Sequence, residues 1–225
     1  MKRCQTILGL LTACAVFALI LTVSIGLPIY IRPFYYAHIE AMNLPEESGF
    51  TAQQIREAYD EVLDYLTIPG RSFGTGVIPH SDSGEDHFAD CRNLFFLNGG
   101  VLLGSAAVLV TVFVLCRVGK VEPLRLAGRS PSFWGALAAI VIPVVVGSLA
   151  AMDFDRAFVV FHTIFFPGKD NWIFDYNTDQ IIRVLPQDFF MHCAMLIGAG
   201  VVVLSGSVLV WELVRHRKEK QWSKA

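Results

Sequence analysis

The chain has 225 residues, of which 54% are hydrophobic and only 17% are charged, and its mean hydropathy is +0.51. These values exclude an ordinary soluble domain and indicate a multi-pass membrane protein. The formal net charge of −2 gives no sign of a nucleic-acid partner.

Four apolar stretches approach or exceed the roughly 20 residues that a helix needs to cross a bilayer core. They lie at residues 7–30, 95–116, 133–152 and 189–214. The first is too long for a signal peptide and has no cleavage site clear of it, so we expect an uncleaved anchor. The sequence therefore predicts an all-α integral membrane protein with four transmembrane helices and both termini on one side.

The basic residues predict the orientation of these helices. They cluster before the first span, in the loop 117–132 and in the tail 215–225, and the positive-inside rule places these three segments in the cytoplasm. The loops 31–94 and 153–188 then face outward, and we expect them to form a small, mostly helical extracytoplasmic cap. The basic residues concerned are Lys2, Arg3, Arg117, Lys120, Arg125, Arg129, Arg215, Arg217, Lys218, Lys220 and Lys224.

The first outer loop begins where Pro28, Arg32 and Pro33 are expected to end the first helix. The aromatic residues 34–36 are predicted to anchor the chain at the membrane interface, where amphipathic rings are favoured. His38 is predicted to be a solvated interface residue. This part of the loop is therefore expected to be an anchor without chemistry of its own.

An amphipathic helix is predicted at residues 51–68. Thr51 and Gln54 form a capping box, and Pro69 with Gly70 ends the helix. Apolar residues recur at helical spacing along one face, so this helix needs a packing partner in the cap or at the membrane surface. The face consists of Ile55, Tyr59, Val62, Leu63 and Leu66.

A loop rich in Gly, Ser and Pro follows at residues 70–84, and the chain is expected to become helical from Glu85. His87 and Asp90 then lie one turn apart, so the carboxylate can orient the imidazole. The same spacing is found between metal ligands. However, the sequence contains no HxxxH or CxxC motif, and neither a metal nor another cofactor is predicted.

The stretch 161–193 lies between two spans and is crowded with aromatic rings. An interfacial belt explains the rings but not His162, because an unpartnered imidazole directly after the apolar run 158–161 would cost free energy. We expect the fold to bring His87 and His162 together at the outer face. Asp170 and Asp175 are alternative orienting carboxylates for His162. The rings expected to form a substrate pocket are Phe161, Phe165, Phe166, Trp172, Phe189 and Phe190.

Local signals in the second outer loop predict two further features. Residues 158–166 are expected to prolong the third span until Pro167, and residues 177–185 to form a short helix capped by Asn177 or Thr178. Cys91 and Cys193 both fall near predicted outer helix ends. A disulfide between them is one alternative, and two free, buried thiols are the other.

Four short elements lie in a fixed order along the chain. The outer helix ends in Tyr65 and Leu66, and EDHFADCRNLF follows at 85–95. The remaining elements are FHTIFFPGKDNWIFD at 161–175 and IIRVLPQDFF at 181–190. Together they resemble the lipoprotein intramolecular transacylase family, Lit, of Gram-positive bacteria. Their order and the four-span topology match the family over nearly the whole chain. Cys91 departs from it, since a small aliphatic residue is expected at this position.

The resemblance implies acyl transfer within a diacylglyceryl lipoprotein in the bacterial cell membrane. The sn-2 acyl chain would move to the α-amine of the lipidated N-terminal cysteine, which yields a lyso-form lipoprotein. The two catalytic histidines of the family would correspond to His87 and His162. The partners implied are lipoproteins and membrane lipid, and the oligomeric state is left open.

Other classes of protein make different predictions. A non-catalytic membrane assembly protein is the main alternative, and it would not require either histidine. A transporter is disfavoured because the spans contain almost no ionisable side chains. A metal-dependent hydrolase would respond to chelators, and a quinone-linked thiol oxidoreductase would need the absent CxxC.

Overall fold

The structure is a computed structural model and describes residues 2–222, apart from the side chains of residues 149, 219, 220 and 222. Residues 223–225, which belong to the predicted cytoplasmic tail and include Lys224, lie outside this range, as does the side chain of Lys220. Within the described range the chain forms helices and no β-strand. They are α1 (Lys2–Tyr30), α2 (Arg32–Ala41), α3 (Leu44–Ser48), α4 (Ala52–Thr67), α5 (Asp82–Gly119), α6 (Pro131–Met152), α7 (Phe154–Phe165), α8 (Ile181–Val184) and α9 (Gln187–Trp222).

Four of these helices are long and apolar enough to cross a membrane, namely α1, α5, α6 and α9. The predicted all-α class with four spans is therefore confirmed. All four helices are longer than the apolar stretches that predicted them. The 38 residues of α5 extend over roughly 57 Å at 1.5 Å per residue, whereas the hydrocarbon core is about 30 Å thick, so part of α5 must lie outside that core.

The chain divides into two compact units, one of which contains residues up to Gly26, Gly99–Ser148 and residues from Ile197 onward. Small residues allow α1 and α6 to approach closely in this unit. A Cβ atom added to Gly135 would lie 2.4 Å from the carbonyl oxygen of Ala13, and Ala136 and Ala139 are fully buried. Close backbone packing of this kind is typical of membrane helices, because lipid tails are as apolar as a large side chain.

The second unit contains Leu27–Asn98 and Leu149–Leu196, and its core is built on α4. The predicted capping box is present, since Thr51 Oγ1 accepts a hydrogen bond from Gln54 N and Gln54 Oε1 accepts one from Thr51 N. The apolar face of α4 is buried as the spacing predicted. This helix therefore packs inside the unit rather than lying on a lipid surface.

Tyr35 occupies the centre of this core. Its ring is fully buried and stacks on Tyr59 at a centroid distance of 3.8 Å, and its hydroxyl donates a 2.6 Å hydrogen bond to the carbonyl of Val184. The expectation that residues 34–36 are interface anchors is therefore wrong for Tyr35. The reason is that Ile31 interrupts the helix and α2 begins anew at Arg32, with Pro33 in its first turn, which turns Tyr35 and Ile39 inward.

Three more boundaries differ from the predictions. The helix containing residues 158–165 does not prolong the third span, because Asp153 adopts an extended conformation and caps a separate helix α7 by accepting a hydrogen bond from Arg156 N. The short helix predicted at 177–185 is limited to Ile181–Val184, because residues 175–179 form turns around Asp175. Pro28 lies inside α1, which continues to Tyr30.

All five cysteines are free thiols. Of the two alternatives for Cys91 and Cys193, the structure therefore shows free thiols and not a disulfide. Both side chains pack against the hydrophobic core of the second unit. They behave as small hydrophobic residues, which is common for cysteines on apolar faces.

Candidate active site

His87 lies in the second turn of α5, in the second unit, and is only 6% exposed. The start of this helix is held by Asp179, a buried carboxylate that accepts hydrogen bonds from Ser81 N at 2.7 Å and from Ser81 Oγ at 2.8 Å. Ser81 Oγ in turn accepts a hydrogen bond from Gly84 N at 3.1 Å. The backbone that carries His87 is therefore fixed by a residue 92 positions further along the chain.

We predict that Gly84→Ala destabilises the protein and displaces His87. A Cβ atom at this position would lie 2.4 Å from Asp179 Oδ1 and 3.1 Å from Phe174 Cε1, and Asp179 cannot move without losing its bonds to Ser81. Overpacking costs about 1–3 kcal/mol, which exceeds the gain of about 1 kcal/mol that alanine brings to a helix. The measurement is the thermal unfolding midpoint in detergent. Gly99→Ala is the matched control because no atom lies within 4 Å of its added Cβ; an equal midpoint for both variants would contradict the prediction.

His162 lies in the last turn of α7 and is 7% exposed. Its Nδ1–H donates a 2.7 Å hydrogen bond to the carbonyl of Phe158, one turn earlier. Because a carbonyl can only accept, this bond leaves the lone pair of the neutral ring on Nε2. Burial lowers the pKa of His162, and the hydrogen bond to Phe158 opposes this effect only in part.

The two imidazoles face each other inside the second unit. Their ring centroids are 5.7 Å apart and the ring planes are tilted by 32°. Both rings are almost completely removed from solvent, and two positive charges at this separation would repel strongly. The arrangement therefore favours a pair that holds at most one extra proton at a time.

Aromatic rings enclose this pair. Phe166 is buried and contacts both imidazoles, at centroid distances of 4.9 Å from His87 and 5.7 Å from His162. Trp172 stacks on His162 at 4.5 Å, and Phe174 meets His87 edge-on at 5.5 Å. These rings lower the local polarity, so hydrogen bonds and charges formed here act more strongly than in water.

The other predicted pocket residues are divided between two places. Phe161 contacts His162 at 5.4 Å and Phe165 at 4.6 Å, and both phenylalanines are about half exposed. Phe190 contacts the ring of Phe158, which in turn contacts His162. Phe189 is buried against Phe34, Tyr35 and His38, which is a different part of the core. We therefore assign Phe189 to packing rather than to the site.

Asp90 does not contact His87 directly. Its carboxylate forms an ion pair with Lys169 and accepts a 3.0 Å hydrogen bond from Asn171 Nδ2. His87 Nε2 instead lies 3.4 Å from the thiol of Cys91 on the same helix face. A thiol is a weak donor and a weak acceptor, so this contact does not bind Nε2 firmly.

The two other predicted orienting carboxylates have different surroundings. Asp170 is exposed, and Asp175 is exposed and accepts hydrogen bonds from the backbone and side chain of Asn177. The Nδ1 atom of His162 is bonded to the Phe158 carbonyl instead. The orientation of His162 thus comes from its own helix backbone.

One loop contacts Asp90 on the helix of His87 and the ring of His162. Lys169 and Asn171 bind Asp90, Trp172 stacks on His162, and Trp172 Nε1 donates a 3.1 Å hydrogen bond to Lys169 O, which closes the loop on itself. The loop follows Pro167 and Gly168, and Gly168 has a φ of +73° that favours glycine. Sequence reasoning missed Asn171, Phe158 and Phe174. The only signal for Asn171 was its place between a predicted carboxylate and a predicted pocket ring.

In this apolar enclosure, a neutral imidazole can accept a proton from a bound substrate and later return it. Among the described residues there is no group of three or more His, Cys, Asp or Glu side chains that could hold a metal ion. Apart from the two histidines, the polar groups at the site are the Cys91 thiol, Asp90, Lys169 and Asn171.

A family model described as lipoprotein intramolecular transacylase Lit matches residues 10–190. Among solved structures, the chain is similar to the membrane-integral lipoprotein intramolecular transacylase Lit from Bacillus cereus, with a TM-score of 0.86 and 24% identity over 99% of this chain and 100% of that one. A second structure of the Bacillus cereus protein, with one histidine replaced by arginine, gives a TM-score of 0.80 and 23% identity over 99% of this chain and 96% of that one. At these identities the likeness shows a shared fold. A search of curated proteins finds no match.

Proposed function

Since this chain belongs to the lipoprotein intramolecular transacylase family, Lit, we propose that His87 and His162 catalyse the transfer of the sn-2 acyl chain of a diacylglyceryl lipoprotein to the α-amine of its N-terminal cysteine. Its membership of this family makes it a membrane acyltransferase. The observation that supports histidine catalysis is the enclosed pair of imidazoles, 5.7 Å apart.

The reaction needs a proton to be moved. An α-amine has an ordinary pKa near 7.7–8.0 and is mostly ammonium at neutral pH, so it must lose a proton to attack an ester carbonyl. One neutral imidazole accepts that proton, and the freed amine attacks the ester carbonyl. As the carbon–oxygen bond of the ester breaks, the nitrogen loses a second proton, and the glyceryl oxygen takes one of the two protons from an imidazolium. The products are an amide, a free glyceryl hydroxyl and one proton released to solvent, so no water or redox partner is consumed.

The attack also needs a folded substrate. It closes a ring through the ester carbon and oxygen, two glyceryl carbons, sulfur, and the Cβ, Cα and nitrogen atoms of the cysteine. A free chain forms such a medium ring rarely, and holding the reacting groups in place can supply up to roughly 7–11 kcal/mol. The half-exposed rings of Phe161 and Phe165 lie beside His162 and are suited to hold acyl chains, while the buried Phe166 separates the imidazoles from the core.

We place the site at the extracytoplasmic face, with both termini in the cytoplasm. The argument is the distribution of lysine and arginine, which concentrates in the segments before the first span, between the second and third, and after the fourth. This orientation matches the substrate, because a lipoprotein presents its lipidated N-terminus at the outer leaflet after export.

The direct test is mass spectrometry of lipoprotein N-termini from bacteria that express or lack this protein. We expect an acyl chain to appear on the N-terminal amide, and one ester-linked chain to disappear from the glyceryl group, only when the protein is present. An unchanged lipid pattern would favour the non-catalytic assembly protein.

We expect His162 to remain neutral at pH values where a free imidazole becomes charged. Because burial lowers its pKa, the neutral form needed to accept a proton persists as the pH falls through about 6.5, and it is lost only at lower pH. An NMR titration of protein labelled in histidine, assigned with the His162→Ala variant, measures the midpoint directly. Trp172→Gly should move the midpoint back toward 6.5, because the stacked ring that excludes water is gone. A wild-type midpoint at or above 6.5 would contradict this account.

A further inference from the structure

Two buried polar atoms at the site lack hydrogen-bond partners in the described part of the chain. They are Nδ1 of His87 and Oδ1 of Asn171. Asn171 binds Asp90, which lies about one turn from His87 on α5. A buried polar atom without a partner is unfavourable and uncommon, so both atoms require an explanation.

The orientation of the Asn171 amide follows from its other contact. Its Nδ2 donates to Asp90 Oδ2 at 3.0 Å, and an ionised carboxylate can only accept. The amide oxygen is therefore the end that remains for another partner. An amide oxygen can only accept, which means that its match must be a donor such as the N–H of a neutral imidazole.

The tautomer of His87 points to the same match. The thiol of Cys91 lies 3.4 Å from Nε2, and a neutral ring that accepts from this thiol carries its proton on Nδ1. The unpaired donor on His87 and the unpaired acceptor on Asn171 are thus complementary. Pairing these two atoms would complete a hydrogen-bonded chain that runs from Lys169 and Asp90 through Asn171 to His87.

We infer that Asn171 is a positioning residue that couples Asp90 to His87 and makes His87 the general base of the transfer. The Asn171 oxygen holds the His87 Nδ1–H, so that the Nε2 lone pair is directed at the substrate ammonium in place of the weakly bound Cys91 thiol. When His87 gains the proton, the amide and the carboxylate behind it stabilise the imidazolium. The inference rests on the proposed function and adds which histidine takes the proton.

His162 is less suited to this role. Its Nδ1–H is bonded to the carbonyl of Phe158, whereas the amide oxygen proposed for His87 belongs to a side chain that donates to an ionised carboxylate, and successive hydrogen bonds polarise and strengthen one another. The charged or titratable groups near His87 are His162 on α7, Lys169 in the loop, and Asp90 and Cys91 on its own helix. While neutral, His162 offers only its Nε2 lone pair, so it can protonate the leaving oxygen only after it has received the proton that His87 takes from the amine.

Asn171→Leu and Asn171→Asp test the inference in purified enzyme with a synthetic diacylglyceryl lipopeptide. Leucine has a similar shape but no acceptor, so kcat should fall about 10- to 100-fold, with a smaller change in KM. When kcat is plotted against pH, the fall in kcat on the acid side (the acid limb) should move to lower pH, because the imidazolium of His87 loses a stabilising partner. Aspartate places a carboxylate next to Nδ1, which stabilises the imidazolium and should move the limb to higher pH. The substrate amine titrates equally in all cases, so a displacement between variants belongs to the enzyme.

Further variants separate positioning from mere packing. Asp90→Asn combined with Asn171→Leu should be little worse than Asn171→Leu alone, because both changes interrupt one connection. Asn177→Ala, an exposed asparagine of the same segment, should leave the profile at its wild-type position. A structural role alone would lower the yield of folded protein without moving the limbs in opposite directions.

Two results would overturn the inference. One is a wild-type kcat in Asn171→Leu. The other is an acid limb of the kcat–pH profile that moves in the same direction in Asn171→Leu and Asn171→Asp. In both cases the proposed function would survive if the wild-type enzyme forms the N-acyl product. A wild-type enzyme that forms no such product would refute the proposed function instead.

Discussion

Replacing either His87 or His162 with alanine is expected to lower the rate of acyl transfer by about 10²–10⁴-fold, which is the usual contribution of general acid–base catalysis. Each ring lies within 5.7 Å of the other, and no other imidazole lies close to both. The protein should still insert into the membrane, because neither ring belongs to an apolar span core. The measurement is conversion of a synthetic diacylglyceryl lipopeptide by purified variants.

The double variant His87→Ala/His162→Ala should be little worse than the more damaging single change, since groups that act as a unit are not additive. His80→Ala is the control, because this exposed imidazole is bonded to Thr75 and takes no part in the pair. If either single variant retained full activity, that histidine would have to be removed from the mechanism.

Replacing Tyr35 with alanine is expected to cost about 3–5 kcal/mol of stability. The change removes a fully buried ring, its stacking on Tyr59 and its hydrogen bond to Val184. Tyr35→Phe keeps the ring and loses only the hydroxyl, which leaves the Val184 carbonyl unpaired and should cost about 1–3 kcal/mol. The measurement is equilibrium or thermal unfolding of the purified protein in detergent micelles.

Tyr176 provides the control for this pair of variants, because its side chain is 61% exposed in the same unit. Tyr176→Ala is expected to change stability by about 0.5 kcal/mol or less, as is usual for exposed positions. Equal unfolding midpoints for Tyr35→Ala and Tyr176→Ala would show that the second unit is not organised around Tyr35.

The helical architecture could be predicted because its causes are local or compositional. Each span is a long apolar stretch, and the start of α4 is fixed by side-chain to backbone bonds between Thr51 and Gln54. Such signals lie within a few residues of one another. They do not depend on which distant segments meet in the fold.

The supports of the site could not be predicted for the opposite reason. Asp90 is three residues from His87 in sequence, yet its partners Lys169 and Asn171 come from a loop about 80 residues further on. Asp179 fixes the start of α5 across 98 residues. In the same way, Tyr35 reads as an interface aromatic until Val184 supplies an acceptor inside the core. Long-range pairs of this kind leave no periodic trace in a single sequence.

The loop 169–172 connects the two helices that carry the histidines. It contacts Asp90 on the helix of His87 and the ring of His162, so one short segment links the elements that carry the two imidazoles. Catalytic geometry is sensitive to displacements of about 1 Å. We therefore expect a displacement of this loop to lower the rate although the loop does not contact the reacting atoms.

The central claim is that the acyl chain moves within one lipoprotein molecule. It can be tested with purified protein and an equal mixture of two lipopeptides, one unlabelled and the other with both a deuterated sn-2 chain and an isotope-labelled peptide. We expect each labelled peptide to carry the deuterated chain on its amide and each unlabelled peptide to carry the unlabelled chain, and both products to vanish in His87→Ala and His162→Ala. A labelled peptide with an unlabelled amide chain, or a transfer that survives both substitutions, would contradict the account.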